Sequence, residues 1–197
     1  MTTISRKLHL APHVLIVDGM YGSGKTPVMN VLATFRRVEW WRLDHHYEYI
    51  CALHHLGKVA DDAAEFHMRI NMDILCYNFL ISREVNLRPT DFSSVLNHPA
   101  KEKYLARLFL PEGEEALARL ACERPILHLG THQVLGVARP LFRALGDRLS
   151  FIQVARHPLF MIAHWHNYIH RFGTDPREFT VCLDCGGVEI PWFAHGW

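Results

Sequence analysis

Residues 19–26 read Gly-Met-Tyr-Gly-Ser-Gly-Lys-Thr, a complete G-x-x-x-x-G-K-[ST] phosphate-binding motif. Glycines let the backbone turn tightly enough for its N–H groups to surround an anion, and Lys25 adds a positive charge. The apolar run 14–17 predicts a buried strand before the motif, and a helix over 26–36 follows, with its positive dipole end facing the same anion. The motif therefore predicts a site for a phosphorylated ligand. The residues predicted to hold it are Gly19, Gly22, Ser23, Gly24, Lys25 and Thr26.

Two later predicted strands also end in residues that suit chemistry. The run 126–129 ends at Gly130-Thr131-His132, and the run 149–155 ends at Arg156-His157-Pro158. Because the carboxyl ends of parallel strands meet at one edge of a sheet, Lys25, His132 and Arg156 are expected to converge on one cleft. A phosphate held at two points beside a histidine predicts group transfer from a nucleotide. The alternatives are a surface ion pair for Arg156 and a loop-capping role for His132.

Alternating strands and helices predict the elements that position these residues. The expected architecture is an α/β P-loop nucleotide-binding fold, with a mostly parallel sheet flanked by helices, in a single domain over 1–197. A second strand is predicted at 38–43, and a helical insertion at about 46–123 is expected to cap the site. A C-terminal β-hairpin is predicted from 179 to 190, turning at Gly186-Gly187 and carrying one C-x-x-C pair.

Composition bounds the class of protein. A formal net charge of +1 gives no general affinity for nucleic acid or anionic membranes, and no apolar stretch is long enough to span a bilayer. Five cysteines, an odd number without framework spacing, favour a reducing compartment. We therefore expect a cytoplasmic protein with neither a nucleic-acid partner nor a membrane span.

Histidines are numerous, with 15 in the chain. On the helix predicted to begin at Pro158, His166 and His170 would lie at i and i+4, a spacing that can ligate a metal. No glutamate stands between them as in H-E-x-x-H, and no third ligand is evident. No metal site is predicted.

The motifs in combination resemble those of the sulfotransferases that use 3′-phosphoadenosine 5′-phosphosulfate (PAPS). The segment from Arg156-His157-Pro158 to Tyr168 is similar to the family's arginine-proline helix, and Thr131-His132 is similar to its Lys-Thr-His strand end. The 24-residue interval from His132 to Arg156 also matches the family's separation of these motifs. The phosphate loop matches by position, and the resemblance covers about residues 13–171.

The resemblance implies sulfuryl transfer from PAPS to a small-molecule acceptor with a hydroxyl or an amine. It implies that His132 is the catalytic base and that Arg156 binds the 3′-phosphate. Lys25 and the loop amides would stabilise charge on the leaving phosphate. His164 stands where the family has a serine for the 3′-phosphate, so its contribution is expected to weaken as pH rises.

The chain departs from the family at three further places. Gly22 stands where the family's loop has a lysine, and Gly130 replaces the lysine before Thr-His. The chain stops at Trp197, before the family's basic glycine-containing loop, so the resemblance implies a C-terminally truncated domain.

Two other functions stay open. The loop is a closer literal match to ATP/Mg-dependent kinases and nucleotide triphosphatases, in which Thr26 would ligate Mg²⁺. Asp44 would be the main acidic partner for that metal, and Asp18 is less suited. The third interpretation is a non-catalytic nucleotide-binding remnant.

Overall fold

The centre of the molecule is a four-stranded sheet whose strands are all parallel. The computed structural model describes residues 2–171 and 174–193. The strands are β1 (His13–Asp18), β2 (Arg42–Leu43), β3 (Ile126–Gly130) and β4 (Leu149–Gln153). Their order is β2-β3-β1-β4, so β1 is interior and both of its neighbours end beside the loop that follows it. The predicted mostly parallel α/β sheet is confirmed.

Helices connect the strands, and a hairpin follows them. The helices are α1 (Lys25–Leu32), α2 (His45–His55), α3 (Asp61–Leu80), α4 (Lys101–Arg107), α5 (Glu114–Glu123), α6 (Arg139–Leu145) and α7 (Pro158–His166). Strands β5 (Val181–Asp184) and β6 (Glu189–Phe193) pair antiparallel as a separate sheet, which confirms the predicted hairpin. Within the described ranges, every helix is too short or too polar to cross a membrane.

The longest helix of the insertion, α3, contributes to the core. Met68 and Met72 of α3 are fully buried in the same apolar cluster as Leu127 and Leu129 of β3. Helix α3 therefore packs against β3, and a cap over the site formed by residues 46–123 stays a prediction. The first turn of α2 contacts the loop after β3 through Glu48 and His132.

Several predicted boundaries are too long. The strand predicted at 38–43 is reduced to a single bridge at Val38 and the two residues of β2. Between them, the Trp40 backbone N–H donates to the Tyr104 hydroxyl at 2.7 Å. Helix α1 ends at Leu32, because the chain there changes to tighter i→i−3 hydrogen bonds, such as Thr34 N–H to the Val31 carbonyl.

A buried ion-pair cluster fastens the insertion to the sheet. Glu39 precedes β2, and its carboxylate accepts hydrogen bonds from the Arg107 guanidinium (3.0 and 3.1 Å), the Lys103 ammonium (2.9 Å) and the Tyr104 hydroxyl (2.9 Å). Burial by itself raises the pKa of Glu39, but Arg107 and Lys103 more than offset it and hold that pKa below its usual value. Glu39 is therefore a buried carboxylate that stays charged.

Candidate functional site

The predicted phosphate-binding loop, residues 19–26, joins the end of β1 to the start of α1 and is called the phosphate loop below. Gly24 lies at the N-cap position of α1 with φ 96°, and Thr26 lies in the first turn. Gly22 has φ 77°, and a Cβ added there would lie 2.7 Å from the His164 imidazole. Only glycine therefore allows this backbone conformation and the close approach of the ring.

Lys25 is folded back onto its own loop. Its Nζ donates to the carbonyl oxygens of Gly19 at 2.5 Å and Met20 at 3.1 Å, and the residue is only 7% exposed. Burial lowers the pKa of Lys25 to about 8, although Asp18 and Glu48 act in the opposite direction. An anion in the loop would raise the pKa of Lys25, because a nearby negative charge stabilises the buried ammonium.

Ser23 also lies inside the loop. Its backbone N–H donates to the Met20 carbonyl at 3.1 Å. In the described part of the chain, the buried Ser23 hydroxyl has no hydrogen-bond partner. A ligand phosphate would supply that partner.

The loop after β3 places an imidazole against the phosphate loop. The His132 ring stacks on the Tyr21 ring with centroids 4.4 Å apart and planes 12° apart. Glu48 of α2 holds it there, since one carboxylate oxygen accepts from the His132 backbone N–H at 3.0 Å and lies 3.2 Å from its Nδ1. When Nδ1 carries the proton and donates it to Glu48, the neutral ring has its lone pair on Nε2.

Burial shifts the pKa values of this pair in opposite directions. His132 is 5% exposed, and desolvation lowers its pKa, although Glu48 raises it. Glu48 is 0% exposed, and desolvation raises its pKa, although the hydrogen bond from His132 lowers it. The imidazole is therefore neutral near pH 7, which is the form that can accept a proton.

Asp18 fixes the position of this second loop. Its carboxylate accepts from the Thr131 hydroxyl at 2.9 Å and from the backbone N–H groups of Val134 at 3.1 Å and Leu135 at 3.2 Å. Asp18 thus connects the ends of β1 and β3 with both of its oxygens. Its role in the structure is to position the loop that carries His132.

The segment after β4 completes the cluster. Arg156 donates from Nη1 to the Gly22 carbonyl at 3.0 Å, and its guanidinium lies 5.2 Å from the Phe160 ring centroid. Helix α7 starts two residues later and turns His164 onto Gly22. The side chains of Arg156 and His164 are both exposed beside the loop, so a ligand can reach them.

The structure thus brings Lys25, His132, Arg156 and His164 together around residues 19–26. His166 and His170 do not lie on one helix. Helix α7 ends at His166 and His170 lies in a short 3₁₀ turn, so the predicted i, i+4 spacing of these two residues is wrong.

Asp44, the acidic candidate for a magnesium site, has structural partners. It caps α2 by accepting from the His46 backbone N–H at 3.1 Å, and it pairs with Arg42 at 3.3 Å. Both interactions hold the start of α2 against the end of β2.

Packing explains one departure from the sulfotransferase pattern. A Cβ at Gly130 would lie 2.7 Å from the Met29 sulfur and 2.8 Å from a Leu43 methyl group. The family's lysine would therefore require these two side chains to move. Glycine at this position lets α1 pack closely against β3.

Sequence reasoning missed Glu48 and His45. Glu48 lies 84 residues from His132 along the chain, and an acidic residue in the first turn of a helix ordinarily complements the helix dipole. His45 lies one turn before it, with Nδ1 3.7 Å from a Glu48 oxygen. His45, Glu48 and His132 each present one potential metal-ligand atom, and these atoms lie within 4.8 Å of one another.

A pocket lies at the opposite edge of the sheet, away from residues 19–26. It has a volume of about 470 Å³ and lies beside the residues that precede β3. Its lining residues include Arg36, Arg37, Lys103, Cys122 and Arg124. None of its lining residues belongs to the phosphate loop.

No protein-family model matches the chain, and neither a curated protein nor a solved structure matches it. A functional assignment therefore depends on the geometry of this site and on the motif resemblance.

Proposed function

We propose that the chain transfers a sulfuryl group from PAPS to a hydroxyl or amine of a small molecule. The observation that carries this proposal is the stacking of His132 on Tyr21, with Glu48 at its Nδ1. This contact places a neutral imidazole, oriented by Glu48, directly beside residues 19–26, which supports its proposed role as a base. Group transfer needs both parts within reach of one ligand.

The donor nucleotide would be held at two places. The amides of residues 22–26, with Lys25, Ser23 and Thr26, would bind the 5′-phosphosulfate. Lys25 would turn from the carbonyls of Gly19 and Met20 towards the anion. Arg156 and His164, on the outer side of Gly22, would bind the 3′-phosphate.

The proton moves through His132. Its Nε2 would accept the proton of the acceptor hydroxyl or amine while the new bond to sulfur forms and the sulfur–oxygen bond to the 5′-phosphate breaks. Glu48 would stabilise the resulting imidazolium through Nδ1. Lys25 would stabilise the negative charge that develops on the leaving phosphate, so the products are the sulfated acceptor and 3′-phosphoadenosine 5′-phosphate.

An ATP/Mg-dependent kinase or nucleotide triphosphatase is the second candidate, because the loop carries the literal G-K-T ending. It requires an acidic side chain to hold the magnesium ion. The partners of Asp18 and Asp44 described above make both residues less suitable for this task. A nucleotide-binding chain without catalysis is the third candidate.

Ligand-dependent thermal unfolding separates these candidates. A ligand at about 100 times its dissociation constant stabilises the folded state by roughly 2.7 kcal/mol. We expect 3′-phosphoadenosine 5′-phosphate without metal to give the larger shift. A larger shift with ATP–Mg²⁺ supports the kinase, and no shift with either nucleotide contradicts nucleotide-dependent catalysis.

The role of His132 is tested by His132→Gln, which keeps a polar side chain of similar length. We expect release of 3′-phosphoadenosine 5′-phosphate from PAPS, measured with phenol, alcohol and amine acceptors, to be lost while bisphosphate affinity is retained. His166→Gln, at the exposed end of α7, is the matched control. Equal loss of affinity and turnover in His132→Gln would assign the residue to binding.

A further inference from the structure

Glu48 is a buried carboxylate with an incomplete set of partners. One oxygen interacts with the backbone N–H and the Nδ1 of His132, and the residue is 0% exposed. Within the described ranges, the second oxygen is buried and has no hydrogen-bond partner. Such an atom is costly unless a proton or a cation occupies the position beside it.

Two imidazoles lie on the same side of this carboxylate. His45 and Glu48 occupy positions i and i+3 on α2, which places them on one helix face. His45 Nδ1 lies 3.7 Å from Glu48 Oε1, the oxygen that accepts from the His132 backbone N–H. His132 Nδ1 lies 3.2 Å from that oxygen. Ligand atoms around a tetrahedral zinc ion with bonds of about 2.0–2.1 Å lie roughly 3.3–3.5 Å apart, close to these two distances. All three candidate ligand atoms lie within 4.8 Å of one another, so the side chains must draw closer together to bind the ion.

The donor set selects the class of metal. Two imidazole nitrogens and one carboxylate oxygen suit zinc and similar transition metals, whereas magnesium and calcium prefer oxygen ligands. A metal needs neutral imidazoles, and burial lowers the pKa of His45 to about 4 and also lowers that of His132. The nearby charged or titratable groups that act on this cluster are Asp18, Asp44, Lys25 and His46. Lys25, and His46 in its protonated form, oppose a cation, whereas the two aspartates favour one.

We propose that His45, Glu48 and His132 bind one zinc-class divalent ion and leave its fourth position open. If the proposed function holds, on which this second step depends, the ion also inhibits the enzyme. A metal on Nδ1 leaves the ring proton of neutral His132 on Nε2, the nitrogen that would act as base. Bound metal and base catalysis at His132 are therefore mutually exclusive.

Metal binding is tested without any nucleotide. The full chain, stripped with a chelator, is titrated with Co²⁺ and followed by visible absorption, and Zn²⁺ affinity is measured by competition with a chromogenic chelator. We expect one tight equivalent in the wild type. His45→Ala and Glu48→Gln should each weaken it by more than the roughly 10–100-fold that loss of an outer-sphere partner costs.

His46→Ala is the matched control, because its side chain is 84% exposed and lies next to His45 in the chain. With 15 histidines, the chain can bind zinc adventitiously, so the control should keep wild-type affinity. Circular dichroism confirms that each variant is folded, and His45→Gln replaces His45→Ala if that variant is not. No tight equivalent, or equal affinity in wild type and the folded His45 variant, would overturn the metal site.

The inhibition step has a separate readout. We expect Zn²⁺ to block release of the bisphosphate from PAPS in the wild type, and to do so only at much higher concentration in the His45 variant. Unchanged turnover in zinc-loaded enzyme would contradict inhibition. Absence of any turnover contradicts the proposed function and this step, while the Co²⁺ titration still decides the metal site.

Discussion

Replacement of Lys25 by methionine should remove a specific pH dependence of stability. The folded pKa of Lys25 is about 8 against 10.5 for an unperturbed lysine, so folding releases a proton between these values. The buried ammonium therefore destabilises the folded state below about pH 8, and this penalty is relieved as pH rises from about 8 to 10.5. For a folded pKa near 8, the linkage relation gives a gain of about 1.3 kcal/mol between about pH 7 and about pH 9.

The assay is urea unfolding of wild type and Lys25→Met at a series of pH values. The difference between the two free energies of unfolding isolates Lys25, because contributions common to both proteins cancel. These include Cys51 and Cys76, whose pKa values burial raises to about 12. We expect the difference to rise by about 1.3 kcal/mol in favour of wild type over that pH interval.

A matched control and a ligand sharpen the result. Lys58→Met changes an exposed lysine and should give a curve parallel to wild type. Bisphosphate in the loop should flatten the wild-type rise, because a bound anion stabilises the charged lysine. A flat difference between wild type and Lys25→Met in the absence of ligand would refute the burial of a charged Lys25 in the loop.

Three further substitutions give distinct outcomes. Arg107→Ala should lower the free energy of unfolding by about 3–5 kcal/mol in urea denaturation, because buried Glu39 loses its two hydrogen bonds to the guanidinium and, of the partners described above, keeps only Lys103 and Tyr104. In the wild type, the pKa of Glu39 lies below its ordinary value of 4.5, so this stabilisation is lost as pH falls through the folded pKa. Glu48→Gln should reduce turnover about tenfold or more in a bisphosphate-release assay, because the amide can favour the wrong His132 tautomer. Bisphosphate affinity, measured by calorimetry, should stay unchanged. Retained turnover would contradict the role of Glu48 in orienting His132. Gly22→Ala should cost about 1–2 kcal/mol in thermal unfolding from its positive φ, and should weaken bisphosphate binding; unchanged affinity would contradict the close packing at the loop.

The parts of the fold that the sequence predicted well are those with local signals. Residues 14–17 are consecutive apolar residues, and residues 126–129 and 149–155 are mostly apolar; each segment contains a strand, although β4 ends two residues early, at Gln153. The strand predicted at 38–43 has the same local character, but in its middle the Trp40 backbone N–H donates to the Tyr104 hydroxyl of α4 and not to a neighbouring strand. A tertiary hydrogen bond of this kind leaves no trace in the local pattern.

The candidate site also has a part that the sequence predicts and a part that depends on tertiary packing. The loop, His132 and Arg156 follow strand ends, so topology alone brings them to one edge of the sheet. Glu48 comes from a helix on the other side of β3, and its burial depends on how α2 is anchored by Asp44 and Arg42. An acidic residue in the first turn of a helix ordinarily complements the helix dipole, so the local sequence of α2 gives no indication that this carboxylate is buried.

The central claim, that one nucleotide bridges the phosphate loop and Arg156, is tested most directly by calorimetric titration of the metal-free chain. The ligands are 3′-phosphoadenosine 5′-phosphate and adenosine 5′-phosphate, which lacks the 3′-phosphate. We predict that the wild type prefers the bisphosphate and that Arg156→Ala removes most of this preference. Failure of both nucleotides to bind the wild type, or an equal loss of affinity for both in Arg156→Ala, would contradict the account.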